Sequence, residues 1–172
     1  MKVHLTAGLT AIAAAFAGPA FAADDITTMS AAETASAIAG QTLTATDLVN
    51  ALIARTGDDP GNVYITFDSE GALAAAAAAD ESVKAGETLG PLHGVPIVVK
   101  DNIASAGLPT TGGTPALKGW VPAEDAPVLK KLRDAGAILL GKTNLHELAF
   151  GITSNNAAFG AVANAYDPDR FA

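Results

Sequence analysis

Lys100 is the residue of this sequence best placed to do chemistry. It closes Val95-Pro96-Ile97-Val98-Val99, a short and mostly β-branched apolar run that reads as a strand buried on both faces. Asp101-Asn102 follows as turn chemistry. An ammonium is costly to desolvate without a partner, so a lysine at this position has two readings. Its stem packs while its head snorkels to water, or it is held partly desolvated so that its neutral amine can act as a base. Lysine can be retuned in this way, whereas arginine effectively cannot. A base of this kind needs a hydroxyl within hydrogen-bond reach. The sequence offers Ser105, Thr110, Thr111, Thr153 and Ser154, each of which is also ordinary loop and turn chemistry.

Other motifs carry less. Gly136-Ala137-Ile138-Leu139-Leu140-Gly141-Lys142-Thr143 matches the phosphate-loop pattern G-x-x-x-x-G-K-[ST]. That mechanism needs a strand before the first glycine and a flexible loop after it. Here a helix comes first and Ala-Ile-Leu-Leu is itself a strand, so phosphate binding is set aside. His93 and His146-Glu147 lack metal-ligand spacing, and no metal site is expected. His93 reads as a hydrogen bond that fixes its loop. His146 and Glu147 read either as lining a substrate path or as fixing a turn.

Gly90-Pro91-Leu92-His93-Gly94-Val95-Pro96-Ile97-Val98-Val99-Lys100-Asp101-Asn102-Ile103 resembles the lysine segment of the amidase signature family, serine hydrolases with a Ser-cisSer-Lys triad. The similarity continues through Thr110–Leu117, Glu124–Ala126, Ala135–Asn144, His146–Gly151, Thr153–Asn156, Phe159-Gly160 and Asn164–Pro168. The resemblance implies that Lys100 is the catalytic lysine. It also puts Thr153, Ser154, Asn155 and Asn156 beside the active site as substrate-cleft candidates, with Ser154 the best placed of the five hydroxyls. The implied reaction is cleavage of a linear carbon–nitrogen amide bond to acid and ammonia through an acyl-enzyme, with no cofactor. The family's Gly-Gly-Ser-Ser-Gly-Gly loop is expected soon after Asp167-Pro168, where this sequence reads Asp169-Arg170-Phe171-Ala172. Both catalytic serines are therefore expected to be missing, and the chain as it stands is expected to be inactive. The alternatives are a catalytically dead binding or interaction protein and a truncated gene product that does not persist folded.

The elements that must position Lys100 are legible on either side of it. Ser30-x-x-Glu33 is a capping box opening a helix over Ala31–Ala39, which Gly40 stops. Thr44 caps Ala45–Arg55, ended by Gly57. Val63–Phe67 alternates as a strand. Ser69 is expected to cap an alanine-rich helix to about Ala85, closed by Gly86. Asp125 is expected to cap a helix over Ala126–Ala135, and Ala137–Leu140 reads as a second buried strand. The two strands and this helix make a right-handed βαβ unit with parallel strands. Asn144–Phe150 reads as a short helix, and Gly151–Ala172 as mostly loop. The fold class is thus α/β: the front part of the family's α/β/α fold, with a mixed central sheet, N-terminal helices and the βαβ unit around the lysine strand. Lys100 is expected to be buried at the strand end, facing a cleft, with Asp101 and Thr153–Asn156 nearby.

Composition limits the partners. Net charge is −8, from 10 Lys and Arg against 18 Asp and Glu, which argues against nucleic acid. There is no cysteine, which excludes disulfides and thiol nucleophiles. The expected partner is a small-molecule amide in the complete enzyme, with self-association possible through unfinished sheet edges such as Ala137–Leu140. Residues 1–22 read as a signal peptide, with Lys2, the apolar run Leu5–Ala17 and the small-x-small site Ala20-Phe21-Ala22. Residues 23–172 then form the N-terminal part of an amidase domain, periplasmic or secreted and without stable membrane insertion. Expressed in a bacterium, the protein should be recovered outside the cytoplasm with Ala23 as its first residue. Soluble cytoplasmic protein that keeps Met1 would contradict this.

Overall fold

Capping chemistry sets where the helices begin. In the computed structural model, which describes residues 26–172, the predicted signal peptide 1–22 and its cleavage site lie outside the described residues. Helix α1 (Ala31–Ala39) opens on the expected capping box: Ser30 Oγ accepts from Glu33 N at 3.3 Å, and the Glu33 carboxylate accepts from Ser30 N at 2.8 Å. Helix α2 (Ala45–Thr56) is capped by Thr44, which accepts from Asp47 N at 2.9 Å. Asp80 adds to that cap from the next helix, accepting from Ala45 N at 2.7 Å and Thr46 N at 3.1 Å. A carboxylate at a helix N-terminus satisfies orphan N–H groups and meets the positive end of the dipole.

The same logic corrects two caps. Helix α3 (Ser69–Lys84) starts on Asp68, whose carboxylate accepts from Gly71 N at 3.1 Å, so Ser69 is the first helical residue rather than the cap. Helix α4 (Pro127–Asp134) has Ala126 at its cap position, with Pro127 lacking an N–H to be capped. Asp125 instead accepts from Ala106 N at 2.7 Å and faces Arg133 Nη1 at 3.5 Å.

Three strands, β1 (Tyr64–Phe67), β2 (Pro96–Lys100) and β3 (Ile138–Thr143), form a mixed sheet in the order β1-β3-β2. β2 runs parallel to β3 across α4, as the βαβ reading requires, and β1 runs antiparallel to β3. Ile138 and Leu140 pack with Ile38, Leu48, Val49, Ala72 and Ala76 from α1–α3. Leu139 packs with Val99 and Leu129, which brings α4 to the sheet. The small side chains Ala72, Ala76 and Ala79, at helical spacing, are all buried, so the alanine-rich segment is a core helix.

Two strand expectations change. Ala137–Leu140 is buried, as its reading as a buried strand requires, but Ile138–Leu140 lie in the central strand β3 and not at an unfinished edge. β2, expected to be buried on both faces, is an edge strand of the described sheet, with Val98 44% exposed. Pro96 has no N–H to give to a ladder, which suits a strand's first residue or an edge. Successive side chains alternate across a strand, so Ile97 and Val99 face the α4 core while Val98 and Lys100 share the open face.

Candidate active site

Lys100 is exposed at the C-terminal end of β2, and its amine makes no hydrogen bond or ion pair among the described residues. The expected burial is therefore corrected. Strand alternation turns Lys100 away from α4, to the side on which Val98 and Lys100 of this edge strand are exposed, which is the snorkelling geometry. The next residue, Asp101, is fully buried. Its backbone continues the ladder, with Asp101 N donating to Thr143 O at 3.0 Å and Gly112 N donating to Asp101 O at 2.9 Å. Its Oδ2 accepts from Thr111 N at 2.9 Å and from Thr111 Oγ1 at 2.5 Å. The strand end that carries Lys100 is thereby tied to the loop at Thr110–Thr114.

Among the described residues the buried cation is Lys142, on β3, with none of its surface exposed. Its ammonium lies 3.0 Å from Asp101 Oδ1 and donates to Thr110 Oγ1 at 2.7 Å. Asp101 Oδ1 has no aligned hydrogen bond, so this half of the carboxylate is held by charge. Register explains how a lysine reaches the interior. Ile97 pairs with Leu139 but Val98 pairs with Gly141, so β3 carries one extra residue there. That bulge brings Lys142 beside Val99, and neighbours in a parallel ladder point to the same side. Burial pushes the Lys142 ammonium below its usual 10.5, and the Asp101 carboxylate opposes that shift.

From this pair a chain of bonds runs to the predicted cleft segment. Thr111 Oγ1 accepts from Gly113 N at 2.9 Å, and Gly112 O accepts from Leu148 N at 2.7 Å. Asn156 Nδ2 donates to Gly113 O at 2.7 Å and to Leu145 O at 2.9 Å. Gly113 has φ 71°, and a Cβ there would sit 2.8 Å from Asn156 Nδ2, so the turn requires glycine. Asn62 and Asn144 continue the work of Asn156. Asn62 Nδ2 donates to Phe159 O at 2.8 Å and Ala161 O at 3.1 Å, and Asn144 Nδ2 donates to Gly160 O at 3.2 Å. In the sequence these asparagines look like loop composition alone. Their signal is that a loop without secondary structure must satisfy its backbone groups with side chains.

Each predicted site residue can now be placed. Asn156 is buried as a loop anchor, Thr153 and Ser154 are half-buried, Asn155 is exposed, and Ser154 has φ 47°. Thr153 and Asn155 line a shallow groove of about 250 Å³ with Val162, Arg170 and Phe171. Among the other hydroxyls, Ser105 Oγ donates to Ile103 O at 3.1 Å, and Thr110 and Thr111 belong to the Lys142–Asp101 cluster. Thr110 and Lys142 make the one buried lysine–hydroxyl contact among the described residues, with both side chains out of a substrate's reach. His93 fixes its loop as expected, with Nε2 2.9 Å from Ala79 O. His146 Nδ1 is buried without a partner and packs under Gly151. The expected helix at Asn144–Phe150 is only a 3₁₀ turn over Glu147–Ala149, with Leu148 and Ala149 at positive φ. A cavity of about 560 Å³ lies between α2 and β1 against Leu52, Tyr64 and Leu140 and holds none of the predicted site residues.

The layered α/β fold is shared with amidases of solved structure. The peptide amidase of Stenotrophomonas maltophilia superposes with a TM-score of 0.75 at 33% identity, over 82% of this chain and 31% of its own. Another amidase crystal structure gives a TM-score of 0.77 at 37% identity, over 83% of this chain and 33% of its own. The Amidase family profile matches residues 47–172, and the chain belongs to that family, the amidase signature enzymes. A glutamyl-tRNA(Gln) amidotransferase subunit from Acidothermus cellulolyticus is 42% identical over 148 residues, which are 85% of this chain and 29% of the relative. Its counterpart from Lachnospira eligens is 46% identical over 134 residues, 77% of this chain and 28% of the relative. The chain thus spans less than a third of the length of the curated relatives it matches.

The Lys142–Asp101 pair makes a prediction about stability. Replacing Lys142 with Met leaves a buried carboxylate without its cation and should cost about 3–5 kcal/mol at neutral pH. Because the native Lys142 gives up its proton at lower pH than the unfolded one, the wild type should gain stability relative to Lys142→Met as pH rises toward 10.5. Denaturant titrations of both proteins at neutral and alkaline pH test this. A gap that shrinks with rising pH would contradict it.

Proposed function

We propose that this chain supplies the lysine-bearing part of an amide-hydrolysing site, in which Lys100 is the base of a Ser-cisSer-Lys triad. The observation that carries the reading is the amine itself, left free at the end of β2 on a strand end clamped through Asp101. Family membership supports it, as do the relatives' names, which include a peptide amidase and a fatty acid amide hydrolase. In the proposed mechanism the neutral Lys100 amine takes a proton from the bridging serine, which takes one from the nucleophilic serine. The nucleophile adds to the amide carbonyl, backbone N–H groups stabilise the oxyanion, and the proton held by Lys100 passes back through the bridging serine to the leaving nitrogen as the C–N bond breaks. Water then attacks the acyl-enzyme, giving its proton to the relay, which returns it to the nucleophilic serine oxygen as the acid leaves.

A non-catalytic reading of the 172 residues by themselves is favoured by one observation: no hydroxyl among the described residues lies within hydrogen-bond reach of the Lys100 amine. Alone, the chain should release ammonia from aliphatic and aromatic amides only at background, equally in the wild type and in Lys100→Ala. Fused in frame to the part of the Lachnospira eligens relative that follows the matched stretch, it should hydrolyse an amide. In that fusion Lys100→Ala should lose about 10²–10⁴ in kcat/KM. Turnover by the chain alone that vanishes in Lys100→Ala would overturn the non-catalytic reading. An active fusion indifferent to Lys100→Ala would overturn the assigned base.

A further inference from the structure

A cavity away from Lys100 has the make-up of a small-molecule site. It lies between the last turn of α2, the start of β1 and the segment 163–168. Its volume of about 560 Å³ falls within the range of such sites, roughly 300–1,000 Å³. Leu52, Val63, Leu140, Ala163 and Pro168 give it largely apolar walls. These walls are bonded to one another before any ligand arrives. Asp59 accepts from Val63 N at 2.9 Å and from Tyr64 N at 2.8 Å, which fixes the turn into β1. Ala163 N donates to Gly61 O at 3.0 Å and Asn62 Nδ2 to Ala161 O at 3.1 Å, so the 163–168 wall is tied to that same turn. A cavity held open in this way costs a ligand little reorganisation.

The polar groups of the lining differ in what they have left to give. Both Asp59 oxygens already accept backbone N–H groups. Asn164 is spent on Phe171 O, Tyr166 N and Asp167 N. The Tyr64 hydroxyl faces the Thr56 side chain, and burial pushes it above its usual 10.0, so it stays uncharged. Arg55 is the exception. Its Nη1 donates to Thr27 Oγ1 at 2.7 Å, but it has no ion pair among the described residues, and a guanidinium has further N–H donors to give. We infer that this cavity binds a small carboxylic acid as its anion, with the apolar body against Leu52, Val63 and Leu140 and the carboxylate on Arg55. Arginine grips a carboxylate through two parallel N–H···O bonds, whereas a neutral amide offers one oxygen and an ammonium is repelled. A cation in the last turn of α2 also complements the helix dipole, but an Arg55 with that role alone would not select among ligands. The inference is independent of the proposed hydrolysis, because no predicted site residue lines the cavity.

The probe is octanoate, added to the full chain and followed by amide NMR shifts, with octanamide and octylammonium as its neutral and cationic counterparts. Octanoate should saturate one-to-one and shift the amides of Leu52, Arg55, Val63 and Ala163. Octanamide and octylammonium should bind at least about 10-fold more weakly, and Arg55→Gln should weaken octanoate about 10-fold while leaving octanamide unchanged. Ala165→Phe, at an exposed position of the lining, should fill the cavity and weaken octanoate with Arg55 intact. Lys100→Ala should bind octanoate as the wild type does, whatever the fate of the proposed hydrolysis. No saturable shift at these amides, octanoate and octanamide binding alike, indifference to Arg55→Gln or to Ala165→Phe, or loss of binding in Lys100→Ala each overturns the inference.

Discussion

The contact between Lys142 and Asp101 is the constraint on which the candidate site depends. Two opposite charges without exposed surface cannot both lose water unless they meet, and they meet at 3.0 Å across the β2–β3 seam. Asp101 directly follows Lys100, so the pair fixes the strand end that presents the Lys100 amine. Asp101 also holds Thr111, Thr111 holds Gly113, and Gly113 holds Asn156. One buried charge pair thus sets the relation between the exposed lysine and the groove segment that begins at Thr153. An apolar pair could fill the same volume, but it would leave the N–H of Thr111 without an acceptor.

That arrangement separates two tasks that lysine can perform. Lys142 is buried, charged against a carboxylate and committed to structure. Lys100 is bare and free to meet a partner. The bulge passing over Leu140 is what assigns the roles, because it shifts Lys142 to the interior side beside Val99 while ordinary alternation turns Lys100 outward. The fold places a neutralised cation inside the strand end and an available amine on its exposed side.

Much of this is legible in the residues. The capping box, the parallel pair across α4 and the loop hydrogen bond of His93 follow from local chemistry, and the family follows from motifs between Gly90 and Pro168. Lys100 looks buried in the sequence because the apolar run before it reads as covered on both faces, although Pro96 at its start already points to an edge. Gly141-Lys142-Thr143 forms strand rather than phosphate loop, in keeping with its sequence context. A lysine following the buried run Ala137–Leu140 nonetheless raises the same question of burial that Lys100 does. The bulge that answers it leaves no mark in the sequence, since it arises from pairing between strands far apart in the chain. The asparagine anchors are hidden for a similar reason: each bonds to a backbone group that only the tertiary fold brings near.

The most direct test is amide hydrogen exchange in the wild type and in Lys142→Met, read at Thr111, Gly112, Gly113 and Leu148. These four N–H groups bond to Asp101, to Thr111 or to the turn they hold. The account predicts that they lose protection in the variant well beyond the amides of Ile38 and Val49 in the α1–α3 core. Unchanged protection at the turn, or the same loss throughout the molecule, would contradict the claim that the buried pair organises the site.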